Sequence, residues 1–560
     1  MGIADYQSRF TKGLALEHVY HWERTQPDAP WLTQPMGGGV LAELTWKQAV
    51  GEARRIAAYL RSLELPAASS IGLISKSTAH WILADLAIWM AGHVTVPMYS
   101  TSSPGMVKQI LEHSEAKLVM IGKLDAFDAI ADAIPPSMPR LTLPLGPASI
   151  DAPAWAELVA ATAPIADDPV REPDELATIV YTSGSTGTPK GVMHTHGAIA
   201  RTCIGIGEVY PGIGPGDRLL SHLPMAHVAE RLVCGVGSMF AGLHVYFCDS
   251  LATFAADLQR ARPTLFFTVP RLWQKFQLAV NERIPPKRLS FLLKVPLLSR
   301  VIRKKLLKAM GLDAVSMAAV GSAPMPTSLL AWYKALGLEV LDGYGMTENF
   351  GYSHGTRLGR VRAGWCGEPQ PGVEHRIGDG GEILVKSPGS MIGYFKEPEM
   401  TASAFTEDGF LRTGDRGEID DHGRLRITGR VKELFKTSKG KYIAPVPIEN
   451  ELASLPGIEA VCVSGAGRAQ PFALVMLGAD VAGKTPRPEL EANIGGHITA
   501  INQSLESHER LQFVVVVKDP WLPDNGLLTP TLKIKRGEIE RRYEPAFDAW
   551  YADGRPVLFE

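Results

Sequence analysis

The chain has 560 residues, more than one hydrophobic core usually serves, so at least two domains are expected. Its hydrophobic content of 45%, charged content of 21% and net charge of −2 are ordinary for a globular protein and give no reason to expect a nucleic-acid partner. The five cysteines form no C-x-x-C pair, which indicates neither a disulfide framework nor a zinc site. A cytoplasmic location fits this cysteine usage best.

Strands and helices alternate through the first part of the chain, which predicts an α/β domain with a parallel sheet. The expected elements are a strand at Ile71–Ser75, a helix capped by Ser77 and running to about Met90, a strand at His93–Val96 ended by Pro97, a helix at Pro104–Ser114 and a strand at Lys117–Ile121. Further strands are expected at Leu219, His244, Leu265 and Ala318. The apolar stretch 81–94 is too short to span a bilayer and is interrupted by Asp85 and His93, so it is interpreted as a buried helix.

The pattern changes near residue 380, where short strands separated by Gly and Asp turns begin. The expected strands are Glu382–Val385, Phe410–Arg412, Glu418–Ile419 and Arg424–Ile427. A Lys-rich stretch follows Gly429-Arg430 and leads into a new α+β pattern. We therefore place a domain boundary at Val431–Glu433, between an N-terminal domain of residues 1–430 and a C-terminal domain of residues 431–560.

The most informative segment is Tyr181–Gly191, with the sequence YTSGSTGTPKG, which follows a predicted strand at Leu176–Val180. Small Gly, Ser and Thr residues let backbone N–H groups and hydroxyls approach a polyphosphate closely. In a P-loop a glycine precedes the lysine, whereas here Pro189, which has no N–H, precedes Lys190. The segment therefore predicts a phosphate-binding loop of another kind.

A second segment, Gly478–Thr485, fits the formal P-loop pattern and follows an apolar run at Phe472–Leu477. A true P-loop opens a helix at its Lys-Thr pair, so that the phosphates lie on the helix N-terminus. Pro486 and Pro488 follow at once, and Pro488 would remove an N–H from the first turn. We interpret this match as coincidental.

Four further motifs stand at the ends of predicted strands or in loops. They are Gly321-Ser322-Ala323-Pro324 after an apolar run at Met317–Val320, Asp342–Glu348 (DGYGMTE) after Leu338–Leu341, Thr413-Gly414-Asp415, and Leu528–Arg536 (LTPTLKIKR). Taken alone, the first three are compatible with ordinary turns.

Together with the glycine-rich loop, these motifs resemble those of the adenylate-forming superfamily, which includes acyl-CoA synthetases, peptide-synthetase adenylation domains and luciferases. They follow the family's order from Tyr181 to Arg536, and the last motif is most similar to that of bacterial long-chain fatty-acid–CoA ligases. The resemblance implies a large N-terminal domain of βαβ sheets and a distorted β-barrel, followed by a small mobile α+β C-terminal domain.

The resemblance also implies roles at an ATP site. Tyr344 would stack on adenine, Asp415 and Arg430 would reach the ribose, and Thr182 would be catalytic. Glu348 would be catalytic and would hold Mg²⁺, a hard cation that favours carboxylate oxygen. The residues assigned to ATP or AMP are Thr182, Ser183, Gly184, Ser185, Thr186, Gly187, Lys190, Gly321, Ala323, Pro324, Asp342, Gly343, Tyr344, Gly345, Thr347, Asp415 and Arg430.

Lys533 corresponds to the family's catalytic lysine, with Lys535 as the less favoured rival, although Leu532 stands where the family commonly has glycine. The chemistry needs such a cation, because a carboxylate must approach an anionic α-phosphate and an ammonium offsets that repulsion. Lys432 corresponds to the hinge about which the C-terminal domain rotates.

The segment His222–Arg231 (HLPMAHVAER) resembles a stretch that flanks the acyl pocket in long-chain acyl-CoA synthetases. We assign His227, Gly235 and Gly237 to that pocket, the glycines leaving room either for an acyl chain or for close helix packing. The spacing of His222 and His227 does not match a zinc-binding helix. His194 and His196 are expected on opposite sides of an extended segment, which also argues against a shared metal.

Residues 287–308 contain eight basic and no acidic side chains, with Leu297, Leu298, Val301, Ile302 and Leu306 at helical spacing. This pattern predicts a basic surface helix, which either only packs an apolar face on the domain or also lies on a membrane.

These observations predict an acid–CoA ligase that converts a carboxylate, ATP and CoA into acyl-CoA, AMP and pyrophosphate through an acyl-adenylate, with a long-chain fatty acid as substrate. Medium-chain or aryl acids, transfer of the acyl group to a carrier protein, and a catalytically silent acyl or nucleotide binder remain as alternatives. A homodimer and peripheral contact with the inner face of the membrane are left open.

Overall fold

The computed structural model describes residues 11–183, 189–478, 481–522, 525–529 and 533–560. Gly184, Ser185, Thr186 and Gly187 of the predicted phosphate loop lie outside the described residues, as does Leu532 of the lysine motif. Within the described residues, no helix combines the length and the apolar composition that crossing a bilayer requires.

The strands are β1 Pro30–Gly37, β2 Val40–Thr45, β3 Ser70–Ile74, β4 Val94–Met98, β5 Leu118–Ile121, β6 Arg140–Thr142, β7 Leu176–Ser183, β8 Pro189–Thr195, β9 Arg218–Ser221, β10 His244–Phe247, β11 Leu265–Thr268, β12 Met317–Val320, β13 Val340–Tyr344, β14 His354–Gly355, β15 Glu368–Pro369, β16 Glu374–Ile377, β17 Glu382–Lys386, β18 Gly393–Tyr394, β19 Leu411–Ile419, β20 Leu425–Arg430, β21 Phe435–Lys436, β22 Tyr442–Ile443, β23 Ile458–Ser464, β24 Phe472–Leu477, β25 Val514–Val516 and β26 Val557–Phe559.

The α-helices are α1 Ala15–Thr25, α2 Trp46–Ser62, α3 Ala79–Ala91, α4 Pro104–His113, α5 Trp155–Ala161, α6 His196–Val209, α7 Val228–Glu230, α8 Gly237–Ala241, α9 Phe254–Ala261, α10 Pro270–Arg283, α11 Pro286–Lys294, α12 Leu298–Ala309, α13 Thr327–Leu336, α14 Pro398–Ala404, α15 Pro445–Leu452, α16 Arg487–Ser504, α17 Arg536–Tyr543 and α18 Phe547–Asp553. A π-helix at Arg231–Val236 joins α7 to α8, and short 3₁₀ turns include Thr347–Asn349 and Val431–Glu433.

A seven-stranded sheet in the order β18-β8-β7-β4-β3-β5-β6 carries the glycine-rich loop. The strands from β7 to β6 in this order run parallel, whereas β8 and β18 are antiparallel to their neighbours. Every residue of α3 from Ala79 to Met90 is buried. The structure thus confirms the predicted parallel sheet and the buried helix.

The cap of α3 differs from the prediction. Thr78, not Ser77, is the N-cap residue, and its side chain accepts a hydrogen bond from the backbone N–H of Trp81. The Ser77 hydroxyl instead donates to the carbonyl of Leu223 at 2.6 Å and accepts from the N–H of Met225 at 2.9 Å. Ser77 therefore joins α3 to the distant segment that precedes α7, a contact that local sequence does not indicate.

Strand β4 continues through Pro97 to Met98, whereas the sequence predicted that Pro97 ends it. The register pairs β4 with β7 at Thr95 but with β3 along the whole strand. Proline is tolerated because a missing N–H matters least where a strand is paired on one side.

A second sheet has the order β11-β12-β13-β14-β15, and a third has the order β2-β1-β10-β9. They contain the strands predicted at Leu219, His244, Leu265 and Ala318. Val320 pairs with Asp342 across β12 and β13, which run parallel. The segments that follow these two strands therefore lie side by side at one edge of the sheet.

An antiparallel sheet in the order β16-β17-β19-β20 lies where the resemblance implies the distorted barrel. The two strands predicted at 410–412 and 418–419 are in fact one strand, β19. The intervening residues stay within the antiparallel ladder and do not form a turn. Gly414 adopts a φ of +69°, and a bulge between Arg416 and Gly417 lets the pairing continue.

The C-terminal residues form a sheet in the order β23-β24-β25-β26. One apolar cluster packs α16 on this sheet and a second packs α17 and α18 on it. Contacts with the rest of the chain include an ion pair between Arg271 of α10 and Glu459, and a hydrogen bond of 3.1 Å from Gln274 Nε2 to the carbonyl of Ala453.

Three other sequence interpretations can be compared with the elements. Helix α16 begins at Arg487, so Lys484-Thr485 does not open a helix as a P-loop would. His196 begins α6 and does not extend the strand that contains His194, which corrects the predicted extended segment. The basic segment 287–308 forms the two helices α11 and α12 and not one, because Pro296 interrupts the backbone hydrogen bonding.

Buried histidines make the fold sensitive to acid. Burial lowers the pKa of each of them to about 3 or 4: His18, His194, His196, His222, His227, His244 and His354. In the unfolded chain these groups titrate near 6.5, so below that pH the unfolded state binds protons that the folded state does not. Each histidine then lowers the free energy of unfolding by about 1.4 kcal/mol per pH unit.

We therefore expect the melting temperature to fall steeply as the pH drops from about 6.5 to 4. Burial raises the pKa values of Glu230 and Asp342 to about 7, so these carboxyls act in the opposite direction but are fewer. His244→Gln should flatten the pH dependence, whereas His422→Gln at an exposed position should not. An unchanged slope in His244→Gln would contradict this explanation.

Candidate active site

The glycine-rich loop lies at the tip of the β7–β8 hairpin. Thr182 pairs with Lys190 and Ser183 with Pro189 in the antiparallel register. Thr182 and Lys190 are both half-buried at the base of the loop. The loop therefore connects two strands, unlike a P-loop, which connects a strand to a helix. Binding of a phosphate by this loop and Lys190 stays a prediction.

Tyr394 joins the loop to the predicted metal ligand, although sequence reasoning did not single it out. β18 places Tyr394 opposite Val192 of β8. The Tyr394 hydroxyl donates a hydrogen bond to Glu348 Oε1 at 2.9 Å, and the Lys190 ammonium lies 5.4 Å from the centre of its ring. Burial and the Glu348 carboxylate raise the pKa of Tyr394, which keeps its hydroxyl a donor.

The turn that carries Thr347 and Glu348 is fixed by its backbone. A Cβ on Gly345 would lie 2.3 Å from the backbone of Gly351, so this position accepts only glycine. His194 Nε2 lies 2.7 Å from the carbonyl oxygen of Thr347. Because burial lowers the pKa of His194 to about 4, the ring is neutral and donates its Nε2 proton to that carbonyl. This bond connects the turn to β8.

Several residues predicted to bind ATP or AMP lie at the edge of the sheet where β12 and β13 end. Gly321 is buried directly after β12, whereas Ala323 and Pro324 are exposed at the rim. Asp342 and Gly343 lie near the end of β13. Burial raises the pKa of Asp342 to about 7, although a hydrogen bond from the Gly343 N–H lowers it. The edge thus offers both backbone groups and a carboxyl to a heterocycle.

Tyr344, Asp415 and Arg430 form a chain of polar contacts, in which Tyr344 and Asp415 are buried and Arg430 is exposed. The Tyr344 hydroxyl donates to Asp415 Oδ2 at 2.7 Å, and Arg430 Nε lies 2.8 Å from Asp415 Oδ1. Asp415 and Arg430 are opposite each other in the β19–β20 ladder. Burial raises the pKa of the Asp415 carboxyl although Arg430 opposes this shift. Each oxygen of this carboxylate keeps lone pairs that could accept ribose hydroxyls.

The C-terminal part of the chain delivers Lys533 to this chain of contacts. A bridge between Leu528 and Ile534 closes the loop, and the Lys533 N–H donates to the Thr529 hydroxyl at 3.0 Å. Lys533 is exposed to solvent, but many other protein groups lie near it. This crowding and the nearby Arg430 lower the pKa of Lys533, whereas Asp415 raises it.

Lys535 has a different position. It is the residue that precedes α17, and its N–H donates to the carbonyl of Leu527 at 2.9 Å. Interactions with Arg430, Asp415 and His227 are found for Lys533. These interactions are compatible with Lys533 as the catalytic lysine, and the choice of Lys533 over Lys535 stays a prediction.

The segment that joins the predicted N-terminal and C-terminal domains has an ion pair on each side. Arg430 pairs with Asp415, and Arg536 Nη2 lies 3.4 Å from Glu433 Oε2. Between these ion pairs lie Val431 and Lys432, which are both exposed. A rotation at this point would leave both ion pairs intact, and the hinge at Lys432 stays a prediction.

Two residues of the predicted acyl segment, His227 and Glu230, have different surroundings. His227 caps α7 by accepting a hydrogen bond from the Ala229 N–H at 3.2 Å, and burial together with Lys533 lowers its pKa to about 4. Glu230 is buried and its Oε1 accepts from the Ser221 hydroxyl at 2.7 Å. His227 therefore interacts with Lys533, whereas Glu230 belongs to the interior, and the assignment of His227 to the acyl pocket stays a prediction.

The two glycines assigned to the acyl pocket lie on the π-helix and at its end. A Cβ on Gly235 would lie 3.3 Å from Met225 Sδ, and one on Gly237 would lie 2.6 Å from the carbonyl oxygen of Leu232. Both glycines thus permit close packing. A π-helix often occurs at functional sites, which keeps the assignment to the pocket open.

Arg231, next to Glu230, makes a buried ion pair that the sequence did not predict. Its Nε and Nη2 lie 3.0 Å and 2.8 Å from Asp85 Oδ2, and its Nη1 donates to the Thr178 hydroxyl at 2.6 Å. The rings of Trp81 and Trp89 flank the guanidinium at 5.4 Å and 5.6 Å. The pair connects α3, β7 and the π-helix behind the site.

Glu348 could serve as a single protein ligand of Mg²⁺. Among the described residues, no group of three or more His, Cys, Asp or Glu side chains could hold a metal by itself. Mg²⁺ commonly takes one or two carboxylates together with substrate phosphates and water. Glu348, half-buried and close to the phosphate loop through Tyr394, is suited to that arrangement.

Lys190 at the base of the hairpin is connected through Tyr394 to Glu348 of the carboxylate turn, and Lys533 interacts with the Tyr344–Asp415–Arg430 chain. The chain belongs to the AMP-binding enzyme family, which matches residues 19–395, and the C-terminal domain of that family matches residues 433–555.

Among curated relatives, the chain is 30% identical to the long-chain-fatty-acid–CoA ligase FadD15 of Mycobacterium bovis, over 95% of this chain and 96% of the relative. It is 27% identical to fatty acyl-CoA synthetase A of Dictyostelium discoideum, over 91% of this chain and 86% of that protein. Among solved structures, the A domain of carboxylic acid reductase from Segniliparus rugosus, in complex with AMP and a co-purified carboxylic acid, superposes with a TM-score of 0.81 at 23% identity, covering 98% of this chain and 96% of that domain. This last likeness concerns the fold.

Proposed function

We propose that this protein is an ATP-dependent, AMP-forming acid–CoA ligase that acts on long-chain fatty acids. The observation that carries the proposal is the position of Lys533, which interacts electrostatically with Arg430 and Asp415, the two residues assigned to the ribose. The relatives named as long-chain fatty-acid–CoA ligases support the substrate class and match the chain along nearly its full length.

The reaction has two halves. In the first, an oxygen of the fatty-acid carboxylate attacks the α-phosphorus of ATP, and pyrophosphate leaves to give an acyl-adenylate. In the second, the CoA thiol loses its proton and attacks the acyl carbon, and AMP leaves with the electron pair of the broken bond. The first step activates the carboxylate for the second, since a free carboxylate has no good leaving group for the thiol to displace.

The residues take the following roles in this proposal. Thr182, Lys190 and the loop between them bind the phosphates. Asp415 and Arg430 hold the ribose, and the edge at Gly321 and Asp342–Tyr344 receives adenine. Lys533 offsets the negative charge that accumulates as the carboxylate reaches the phosphate. His227, Gly235 and Gly237 border the acyl group.

Mg²⁺, when bound, would neutralise phosphate charge, and Glu348 would be its protein ligand. Tyr394 orients that carboxylate through its hydrogen bond, and His194 fixes the turn that carries it. Such outer contacts commonly decide how well a ligand carboxylate presents itself to a metal.

Rotation at Lys432 divides the two halves of the reaction between two arrangements of the domains. In the arrangement described here, Lys533 interacts electrostatically with Arg430 and Asp415. A rotation about 431–432 would carry Lys533 away together with Arg536 and Glu433, whose ion pair lies on the moving side. CoA would then reach the acyl-adenylate from the vacated side.

Product analysis by mass spectrometry tests the proposal. Purified protein would receive MgATP, CoA and acids from acetate to oleate, with benzoate and ferulate included. Acyl-CoA and AMP in equal amounts, greatest with long chains, are the expected result. Adenylates without thioesters would favour a carrier protein as acceptor, a maximum at medium chains or aryl acids would correct the substrate, and no product with any acid would contradict ligase activity.

Tyr394→Phe should raise the Mg²⁺ concentration needed for half-maximal adenylation about tenfold or more, because the Glu348 carboxylate loses the group that orients it. The measurement is pyrophosphate release across a Mg²⁺ titration at saturating ATP. Tyr210→Phe is a matched control, since its hydroxyl donates to the carbonyl of Thr356 at 2.8 Å, away from Glu348. Identical Mg²⁺ curves for Tyr394→Phe and the parent would refute this role.

A further inference from the structure

The connection between β11 and β12 is longer than its topology requires. Two parallel strands need one crossover of about a dozen residues, usually a single helix. Here α10, α11 and α12 all lie between the strands. We call α11, α12 and the turn between them the basic hairpin, residues 286–309.

The inner side of the basic hairpin is already used for packing. Leu289 is buried, and Leu293, Ile302 and Leu306 pack against the apolar cluster that contains Trp273. Stability of the domain therefore accounts for these side chains. It does not account for the side that faces away from the cluster.

The outer side exposes large apolar groups close together. Phe291 is 67% exposed, Leu297 82%, Leu298 41% and Val301 51%. Single exposed apolar residues are common on any protein surface, but a contiguous group marks a contact with a partner or a membrane.

The turn of the hairpin is strained in a way that presents Leu297 to solvent. Leu297 has φ 65° and ψ −50°, and the Leu298 N–H donates to the carbonyl of Pro296 at 2.8 Å. These values describe a γ-turn with positive φ, which is rare for a residue with a branched side chain. Strain of this kind persists where the exposed side chain has a use.

Positive charge surrounds this apolar group. The eight basic residues of the segment are accompanied by no acidic one, in a chain whose net charge is −2. Arg300 and Arg303, together with Leu297 and Ser299, line an open pocket at the turn. Basic side chains alone would suit a nucleic acid, but the exposed Leu and Phe side chains have no counterpart on a phosphate backbone, whereas a bilayer surface accepts both.

We propose that the basic hairpin docks the protein on anionic phospholipid bilayers. Leu297 and Leu298 enter the boundary of the acyl chains, while Arg300, Lys304 and Lys305 lie among the phosphate headgroups. Each basic residue near an anionic surface contributes an attraction that salt weakens. The inference goes beyond the ligase reaction and can be tested without any substrate.

The hairpin is remote from the nucleotide cleft. Helix α10 begins two residues after β11 and has 14 residues, so it spans about 21 Å before the hairpin begins. Substitutions in the hairpin should therefore leave the turnover of a short, water-soluble acid unchanged.

Sedimentation with vesicles provides the test. The parent protein should bind vesicles of phosphatidylcholine with phosphatidylglycerol more strongly than vesicles of phosphatidylcholine alone, and high salt should weaken the binding. Leu297→Ser with Leu298→Ser, and separately Lys304→Glu with Lys305→Glu, should each lower the partition constant about tenfold or more.

Two matched controls separate the hairpin from general surface effects. Leu251→Ser changes a leucine that is 97% exposed elsewhere on the protein, and Lys484→Glu with Lys518→Glu changes two exposed lysines near the C-terminal sheet. Both should bind like the parent. Melting temperatures equal to that of the parent would show that all variants are folded.

Three results would overturn the proposal: a parent protein that does not bind anionic vesicles, binding that is equal with neutral vesicles, or hairpin variants that bind like the parent. Light scattering adds a fourth, since hairpin variants that dissociate a dimer but still bind vesicles would make this face an interface between two copies. The ligase assay fails or succeeds independently, because the vesicle experiment contains neither ATP nor CoA.

Discussion

Replacing Lys533 with alanine is expected to slow formation of the acyl-adenylate by a factor of about 100 to 1,000, because the ammonium that offsets the charge of the attacked phosphate is lost. Thioester formation from added acyl-adenylate and CoA should be nearly unchanged, since the proposed rotation removes the lysine before that step. The measurement is pyrophosphate release for the first half-reaction and acyl-CoA formation for the second, on the same preparation.

Lys535→Ala is the matched control, since Lys535 lies two residues away on the same basic motif and precedes α17. It should retain most of both activities. An equal loss of both half-reactions in Lys533→Ala would mean that the residue supports the fold rather than the first step.

Removing one partner of the buried Arg231–Asp85 pair should have the largest effect on stability. Arg231→Met leaves the Asp85 carboxylate buried without its cation, which typically costs about 3–5 kcal/mol. Changing both residues, Arg231→Met with Asp85→Leu, should recover much of the loss, because no charge is then left buried. Thermal denaturation followed by tryptophan fluorescence measures the effect, since Trp81 and Trp89 flank the guanidinium.

The pH dependence identifies the cause of this loss. Burial already raises the pKa of Asp85 and Arg231 opposes the shift, so removing Arg231 raises this pKa further. A carboxyl with a raised pKa in the folded state destabilises the fold increasingly as the pH rises above its unfolded value near 4. Arg231→Met should therefore lose more stability at pH 8 than at pH 5. Arg61→Met, which removes an exposed pair with Asp167, should cost at most about 1 kcal/mol at either pH.

Much of the fold could be predicted because its signals are local. The apolar runs that became β3, β5, β7, β12 and β24 lie within a residue or two of the predicted positions, except that β7 extends to Ser183. The glycine-rich loop and the carboxylate turn were also recognisable, since their composition is unusual at any position. Where a prediction was wrong, as for the cap of α3 or the division of β19, a long-range contact or a bulge had changed the local outcome.

The remaining site residues depend on pairings that no local pattern encodes. Tyr394 reaches Glu348 because β18, only two residues long, pairs with a strand two hundred positions earlier in the chain. Asp85 was visible only as a charge within an apolar helix, and its partner Arg231 could not be inferred from spacing. Resemblance alone favoured Lys533 over Lys535, and the interaction of Lys533 with Arg430, about a hundred positions earlier in the chain, was not visible in the sequence.

The ion pair between Arg271 and Glu459 adds little to the stability of the domain arrangement described here. Both side chains are only partly buried, and such a pair contributes at most about 1 kcal/mol, which corresponds to a factor of roughly five in the population ratio of two arrangements. A contribution of this size is easily outweighed by the binding of nucleotide or thiol. Because this contact is screened by ions, the lifetime of each arrangement, and with it the turnover rate, should vary with ionic strength even where the chemistry of each step does not.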